Sequence, residues 1–245
     1  MRSFARVVPI AAAALVIALS PTANVAAAAQ ARYLAVTSHS IVTATQGWAH
    51  IYGYQQYQQQ YRTAEWALVL QDTSSHLAAL DVQIMVVLYG PNSTESTPTT
   101  VAITGIPAGH KYYLVSAGEI YASSITSIQT SISVGRTYTG RFVLPAVQMT
   151  VKQGRVVAQV NGTVNNPYSG TGALDLHGNL NVIYFGNAGQ IVGTGTQTVV
   201  IPPPGKIDPF IMGIVPPAGT MSAKASVDPC YTTVNGLPAQ CVALQ

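Results

Sequence analysis

The chain has 245 residues, of which 48% are hydrophobic and only 8% charged, where an average soluble domain carries roughly 25% charged residues. Eleven basic and eight acidic residues give a formal charge of +3 and are scattered along the chain, so no Lys/Arg cluster exists to meet a nucleic-acid phosphate backbone. The apolar content also excludes intrinsic disorder, because it can bury enough surface to offset chain entropy.

Residues 1–31 read as a cleaved secretory signal peptide. The basic start MRSFAR is followed by VVPIAAAALVIALS and then by small residues in Ala-x-Ala patterns. The apolar run is shorter than the roughly 20 residues that span a bilayer, and cleavage is expected between Ala27 and Arg32. No Cys follows the run, which argues against a lipid-anchored protein. No later stretch reaches 18 uninterrupted apolar residues, so the mature chain is expected to carry no stable membrane span. Loss of Arg2 and Arg6 leaves nine basic against eight acidic residues, too near neutral for electrostatic steering of a charged partner. The Ala-heavy leader looks bacterial and predicts a secreted, extracellular or cell-surface protein. The glycosylation triplets at Asn92 and Asn161 are accordingly expected to stay unmodified.

Next comes an uncharged tract, Tyr52-Gly53-Tyr54-Gln55-Gln56-Tyr57-Gln58-Gln59-Gln60-Tyr61. Tyr52, Tyr54, Tyr57 and Tyr61 are the candidate binding residues, since their rings and the interleaved amides could face a sugar or a peptide edge. The other reading of the same tract is a low-complexity connector or polar edge strand.

From Arg32 onward the dominant apolar period is two, rich in Val, Ile, Thr and Tyr. Predicted strands carry Trp66, Leu68 and Leu70; Val82, Ile84, Val86 and Leu88; Tyr138, Phe142 and Leu144; Val147, Met149 and Val151; Val156, Ala158 and Val160; and Leu180, Val182 and Tyr184. The second of these also has Gln83, Met85, Val87 and Tyr89 on its other face, and a strand apolar on nearly both faces is expected in the middle of a sandwich. Turn clusters at Gly90–Ser93, Gly105–Gly109, Gly186–Gly189 and Pro202–Gly205 separate them. No window offers a long capped amphipathic helix. The fold class expected is all-β, built as antiparallel β-sandwiches.

An offset of 96 residues aligns Val86-Val87-Leu88-Tyr89-Gly90 with Val182-Ile183-Tyr184-Phe185-Gly186, and Ile106-Pro107-Ala108-Gly109 with Pro202-Pro203-Pro204-Gly205. Two landmarks at one offset predict two tandem immunoglobulin-like domains, residues 32–145 with the Tyr/Gln-rich segment and residues 146–245 with a C-terminal hairpin. One larger sandwich is the alternative. Strand, turn, strand and Pro-Gly connection resemble the FxLYD-type β-sandwich modules of secreted bacterial proteins over roughly Tyr61 to Val134 and Arg155 to Val227. The first copy keeps the Leu and Tyr of that motif as Leu88 and Tyr89 but lacks its Phe and Asp. The second keeps only bulky residues, followed by Gly189-Gln190-Ile191-Val192-Gly193. The resemblance implies a fold and a secreted context, and brings no catalytic residues.

The five histidines, His39, His50, His76, His110 and His177, lie too far apart for paired metal-ligand spacing, so no metal site is nominated. The acids Glu65, Asp72, Asp81, Glu95, Glu119, Asp175, Asp208 and Asp228 are isolated, although two could meet across a groove as a glycosidase pair. Neither G-x-S-x-G nor a complete P-loop occurs. No catalytic residue and no cofactor is nominated.

At the C-terminus Cys230 and Cys241 flank Asn235-Gly236, the preferred pair for a two-residue hairpin turn. Folding there sets Val234 opposite Leu237, Thr233 opposite Pro238 and Cys230 opposite Cys241. Cα atoms opposite each other lie about 4.5–5.5 Å apart, within disulfide reach, and export supplies the oxidising compartment. A staple disulfide is expected. The sequence therefore predicts a secreted non-enzymatic binding or structural module at or outside the bacterial cell envelope. Its expected partner is an envelope glycan or another exported protein. A secreted glycan hydrolase and a self-assembling surface or matrix protein are the alternatives.

Overall fold

The structure, a computed structural model, describes residues 32–37, 41–52, 62–93, 95–152, 159–165, 176–203, 205–213, 215–228, 233–234 and 237–238. The expected leader over 1–31 lies outside them. In chain order the strands are β1 (Arg32–Thr37), β2 (Val42–Tyr52), β3 (Arg62–Asp72), β4 (Ala78–Tyr89), β5 (Thr99–Ile106), β6 (Lys111–Ile120) and β7 (Ser127–Tyr138). They continue with β8 (Ala146–Lys152), β9 (Gln159–Asn165), β10 (Leu176–Phe185), β11 (Ile191–Ile201), β12 (Ile207–Ile211), β13 (Ser222–Asp228), β14 (Thr233–Val234) and β15 (Leu237–Pro238). Among the described residues the only helical piece is a 3-10 turn at Pro91–Ser93, and no helix is long and apolar enough to cross a membrane. The chain is an all-β, sandwich-type protein.

Sheets of order β1-β7-β4-β5 and β2-β3-β6 enclose one core, and sheets of order β11-β10-β13 and β12-β9-β8 enclose another. Trp66, Leu68 and Leu70 from β3 meet Val82, Ile84, Val86 and Leu88 from β4 in the first core. Each side chain of this kind, fully buried, stabilises by about 1.5–3 kcal/mol. Leu180, Val182 and Tyr184 of β10 centre the second core with Val199, Ile201 and Val227. Among the described residues all strand pairs are antiparallel except β1 on β7, where Arg32↔Ser127 through Thr37↔Ile132 run parallel.

Apart from β1, the two halves are wired alike. The strands β2, β3 and β6 correspond to β8, β9 and β12, and β4, β5 and β7 correspond to β10, β11 and β13. Across β4 and β5, Val82 faces Ile103, Ile84 faces Val101 and Val86 faces Thr99. Across β10 and β11, Gly178 faces Val199, Leu180 faces Gln197 and Val182 faces Gly195. Every partner has moved by 96 residues, so the offset read in the sequence is also the offset of the hairpin register. In the next pairing it slips by one, with Ile84↔Ile132 in the first half and Leu180↔Val227 in the second. The second hairpin turns at Gly189, whose φ of 74° lies where a side chain would be strained.

The two halves meet face to face. The outer surface of β2-β3-β6, carrying Trp48, Ala67, Val69, Val115 and Tyr113, packs on Ile183 and Phe185 of β10 and Ile191 of β11. Polar residues here are buried but bonded: Ser226 Oγ accepts from the Tyr113 N–H at 2.9 Å, and Thr194 Oγ1 donates to Glu65 Oε1. Asp228 accepts from the Thr104 N–H at 3.1 Å and from its hydroxyl at 2.8 Å. The strands buried on both faces are therefore β3 and β10.

The sequence pointed to β4 for that position, and the structure corrects it. Gln83 is exposed and Met85 is 43% exposed on the outer face of β4. An apolar outer face tells that something can cover a strand, while which strand is covered is decided by how the halves dock. A second correction concerns Tyr138, Phe142 and Leu144: β7 stops at Tyr138. Phe142 and Leu144 pack on Ala78 and Leu80 from an irregular stretch, where Gly140 and Pro145 interrupt the ladder. Of the strand expected at Val156 to Val160, residues 153–158 lie outside the described residues.

Candidate functional site

The open counterpart of the covered β2-β3-β6 face is the outer face of β8-β9-β12. Alternation places Val147, Met149, Val151, Val164 and Phe210 toward the core and leaves Gln148, Thr150, Ile207, Pro209 and Ile211 exposed. Ile207 is 61% exposed and Ile211 60%. β12 is an edge strand, so Pro209 can occupy it without breaking a ladder on its free side. Registers align the residues in cross-strand rows: Gln148↔Thr163↔Pro209 and Thr150↔Asn161↔Ile211.

An open groove of about 530 Å³ runs over these rows, lined by Gln148, Thr150, Gly162, Thr163, Pro209, Phe210 and Ile211. Gly162 sets its floor. A Cβ there would stand 2.4 Å from Cζ of Phe210 and 2.7 Å from the Gln148 carbonyl oxygen, so the Phe210 ring lies against the core only because position 162 has no side chain. The lining offers one amide, two hydroxyls and apolar Pro and Ile surfaces, with no titratable side chain. Such a set can hydrogen-bond a ligand and offer it apolar surface, and its two threonine hydroxyls have no titratable side chain in the lining to activate them.

Tyr52 pairs through its backbone with Thr63 at the end of β2. Its side chain, and Tyr54, Tyr57 and Tyr61, lie outside the described residues. Cys230 and Cys241 lie outside them as well, but Thr233↔Pro238 and Val234↔Leu237 pair in the register that the Asn-Gly turn predicts.

The acids with described contacts face different partners. Asp72, fully buried, accepts from the N–H groups of Ser74 at 2.8 Å and Ala79 at 3.1 Å. Burial pushes its carboxyl above the ordinary 3.8, opposed by those bonds and by the His110 charge. Asp81 takes an exposed ion pair with Arg136 at 2.5 Å, worth at most about 1 kcal/mol. Glu65 and Asp228 serve the contact between the halves. Of the histidines, His50 stacks on Trp48 and His110 Nδ1 sits 2.8 Å from the Ala108 carbonyl oxygen. Among the described residues no three His, Cys, Asp or Glu side chains gather where they could hold a metal ion. Tyr184 Oη is buried in the second core with no partner among the described residues. Burial, with the Glu65 charge, pushes its pKa up to about 12.

Gln148, Thr150, Thr163, Pro209 and Ile211 escape a search for chemical motifs because none is reactive. The signal present was alternation, with Ile207, Pro209 and Ile211 two apart, which does not say whether the apolar side faces in or out. No protein-family model and no curated protein matches the chain.

Proposed function

We propose that the chain is a secreted, non-enzymatic binding or structural module acting at or outside the bacterial cell envelope. In this reading the outer face of β8-β9-β12 is its working surface. The observation that carries it is the lining of the groove, hydrogen-bonding and apolar without an ionisable group. The tandem 96-residue repeat and the resemblance to FxLYD-type modules support the same reading, since both concern scaffold and neither brings a reactive residue. The test has two arms on purified protein. Saturable retention on isolated envelope material, weakened by Thr163→Arg with the melting curve unchanged, is the expected result. Turnover of a glycan or ester substrate, abolished by replacing any one acid, would overturn it.

A further inference from the structure

Resting on that reading, we propose that the partner of the β8-β9-β12 face is a second copy of this chain, docked head to tail. The chain already contains one such joint. The row Trp48↔Ala67↔Val115 across β2-β3-β6 lies under the β10-β11-β13 sheet. The corresponding row of the second half is Gln148↔Thr163↔Pro209, the row that lines the open groove, and Thr163 stands 96 residues beyond Ala67. The acceptor half of the joint is thus present twice, once covered and once bare.

The donor half is also present twice. Ile183 and Phe185, which fill the covered joint, stand 96 residues beyond Val87 and Tyr89 on the outer face of β4. Beside them Met85 is exposed where the second half has the buried Asn181. The neighbouring β7 presents Gln129 and Ser131, opposite Val87 and Met85. Bulk is redistributed between the two faces in a complementary way. Gln148 in place of Trp48 opens the acceptor at its side, with Thr163 slightly larger than Ala67, while Met85 in place of Asn181 and Tyr89 in place of Phe185 enlarge the donor by more than Val87 in place of Ile183 takes away. Charge is sparse on the donor face: its strand is neutral from Gln83 to Tyr89, Asp81 is paired with Arg136, and the exposed Glu95, which stands 96 residues before Ile191 and bridges to Tyr89, puts a carboxylate at the rim. Donor and acceptor are different surfaces, so the contact is heterologous and repeats from copy to copy as a stack of sheets.

Sedimentation of the purified protein, with Met85→Lys and Ile211→Lys variants, tests this. Both positions are exposed, so each variant is expected to keep its circular dichroism and melting curve. The wild type is expected to gain mass progressively with concentration. Each variant alone should associate roughly a hundredfold more weakly, because the joint would bury an unpaired ammonium. Mixed, the two variants should form heterodimers and stop, since one intact donor then meets one intact acceptor. A wild type that stays monomeric at every concentration overturns the proposal. So does a Met85→Lys protein that associates as wild type does, which would mean that the β8-β9-β12 face pairs with itself. Monomers that still bind envelope material through Thr163 would refute the second copy and leave the binding module standing, whereas substrate turnover would remove both.

Discussion

Thr104 and Asp228 are 124 residues apart in sequence, yet the backbone N–H and the hydroxyl of Thr104 both donate to the two oxygens of that one carboxylate. β5 is an edge strand, and Asp228, at the last position of β13, satisfies an amide that would otherwise face open water while tying the second half to the first. Edge amides left free are sites of unwanted pairing. Asp228→Ala is expected to cost about 2 kcal/mol, the scale of hydrogen bonds to a charged acceptor. It should also speed hydrogen exchange at the Thr104 amide more than at Ile84. A denaturation midpoint unchanged within error would show that the tie contributes nothing.

Asp72 organises the turn from β3 to β4 by accepting the Ser74 and Ala79 amides. Asp72→Ala leaves two donors unpaired, the second of them buried, and is expected to lower stability by about 2–3 kcal/mol at neutral pH. Acid has an inverted effect on the native carboxyl. Its pKa is raised above 3.8, so just above that pH the folded protein holds a proton that the unfolded chain has released. The contribution of Asp72 therefore grows as the pH falls through that window and shrinks as it rises. Urea midpoints of the wild type and Asp72→Asn across the acid range should differ by this slope.

Tyr184 gives the alkaline counterpart. Between the ordinary 10.0 and about 12 the unfolded chain loses the phenol proton while the folded protein keeps it. Stability from this group is complete below pH 10 and is lost as the pH rises toward the folded value. Tyr184→Phe is expected to remove that loss. Because the hydroxyl is buried without a partner among the described residues, the substitution should also raise stability at neutral pH by about 1 kcal/mol. Thermal melts at neutral and alkaline pH check both statements, and a destabilised Phe variant at neutral pH would mean that the hydroxyl is bonded.

The groove depends on the missing side chain at position 162. Gly162→Val is expected to drive Phe210 from its seat in the core, at a cost of about 1–3 kcal/mol for overpacking, and so to shift the part of the groove lining that Phe210 supplies. Gly162→Ala should do the same more weakly. Retention on envelope material and the sedimentation profile should change in step with the melting temperature. A Val variant as stable as wild type would show that the ring moves without cost.

The hairpin of β14 and β15 places Thr233 opposite Pro238; Cys230 and Cys241 lie outside the described residues, and the sequence expects that register to continue three steps to set them opposite each other. Non-reducing mass spectrometry of the purified protein is expected to give a mass two hydrogens below that of the dithiol. Two thiols that alkylate freely would refute the staple.

Much of the fold is legible in the chain because alternation over strands such as Val82 to Leu88 or Leu180 to Tyr184 is a local property. The hairpin register was legible too, since turns fix it. Other strands were harder to see. β12 hides behind Pro209, a residue that counts against a strand unless the strand is known to be an edge, and β11 is diluted by Gly193 and Gly195. The parallel seat of β1 on β7 and the covering of β3 by β10 depend on contacts between distant segments. No periodicity reports these. The groove was invisible for the same reason: whether Ile211 faces solvent is settled by which sheet packs over which.

The covering of β3 has a consequence for dissecting the protein. The sequence expects a boundary at residue 145, yet a fragment ending there would expose Trp48, Ala67, Val69 and Val115 on one flat face, a surface prone to adhere to whatever apolar surface it meets. The same is true of a nascent chain until Ile183 and Ile191 have emerged. Repetition in the sequence thus does not make the parts separable, and the first half is completed by strands that the chain supplies last.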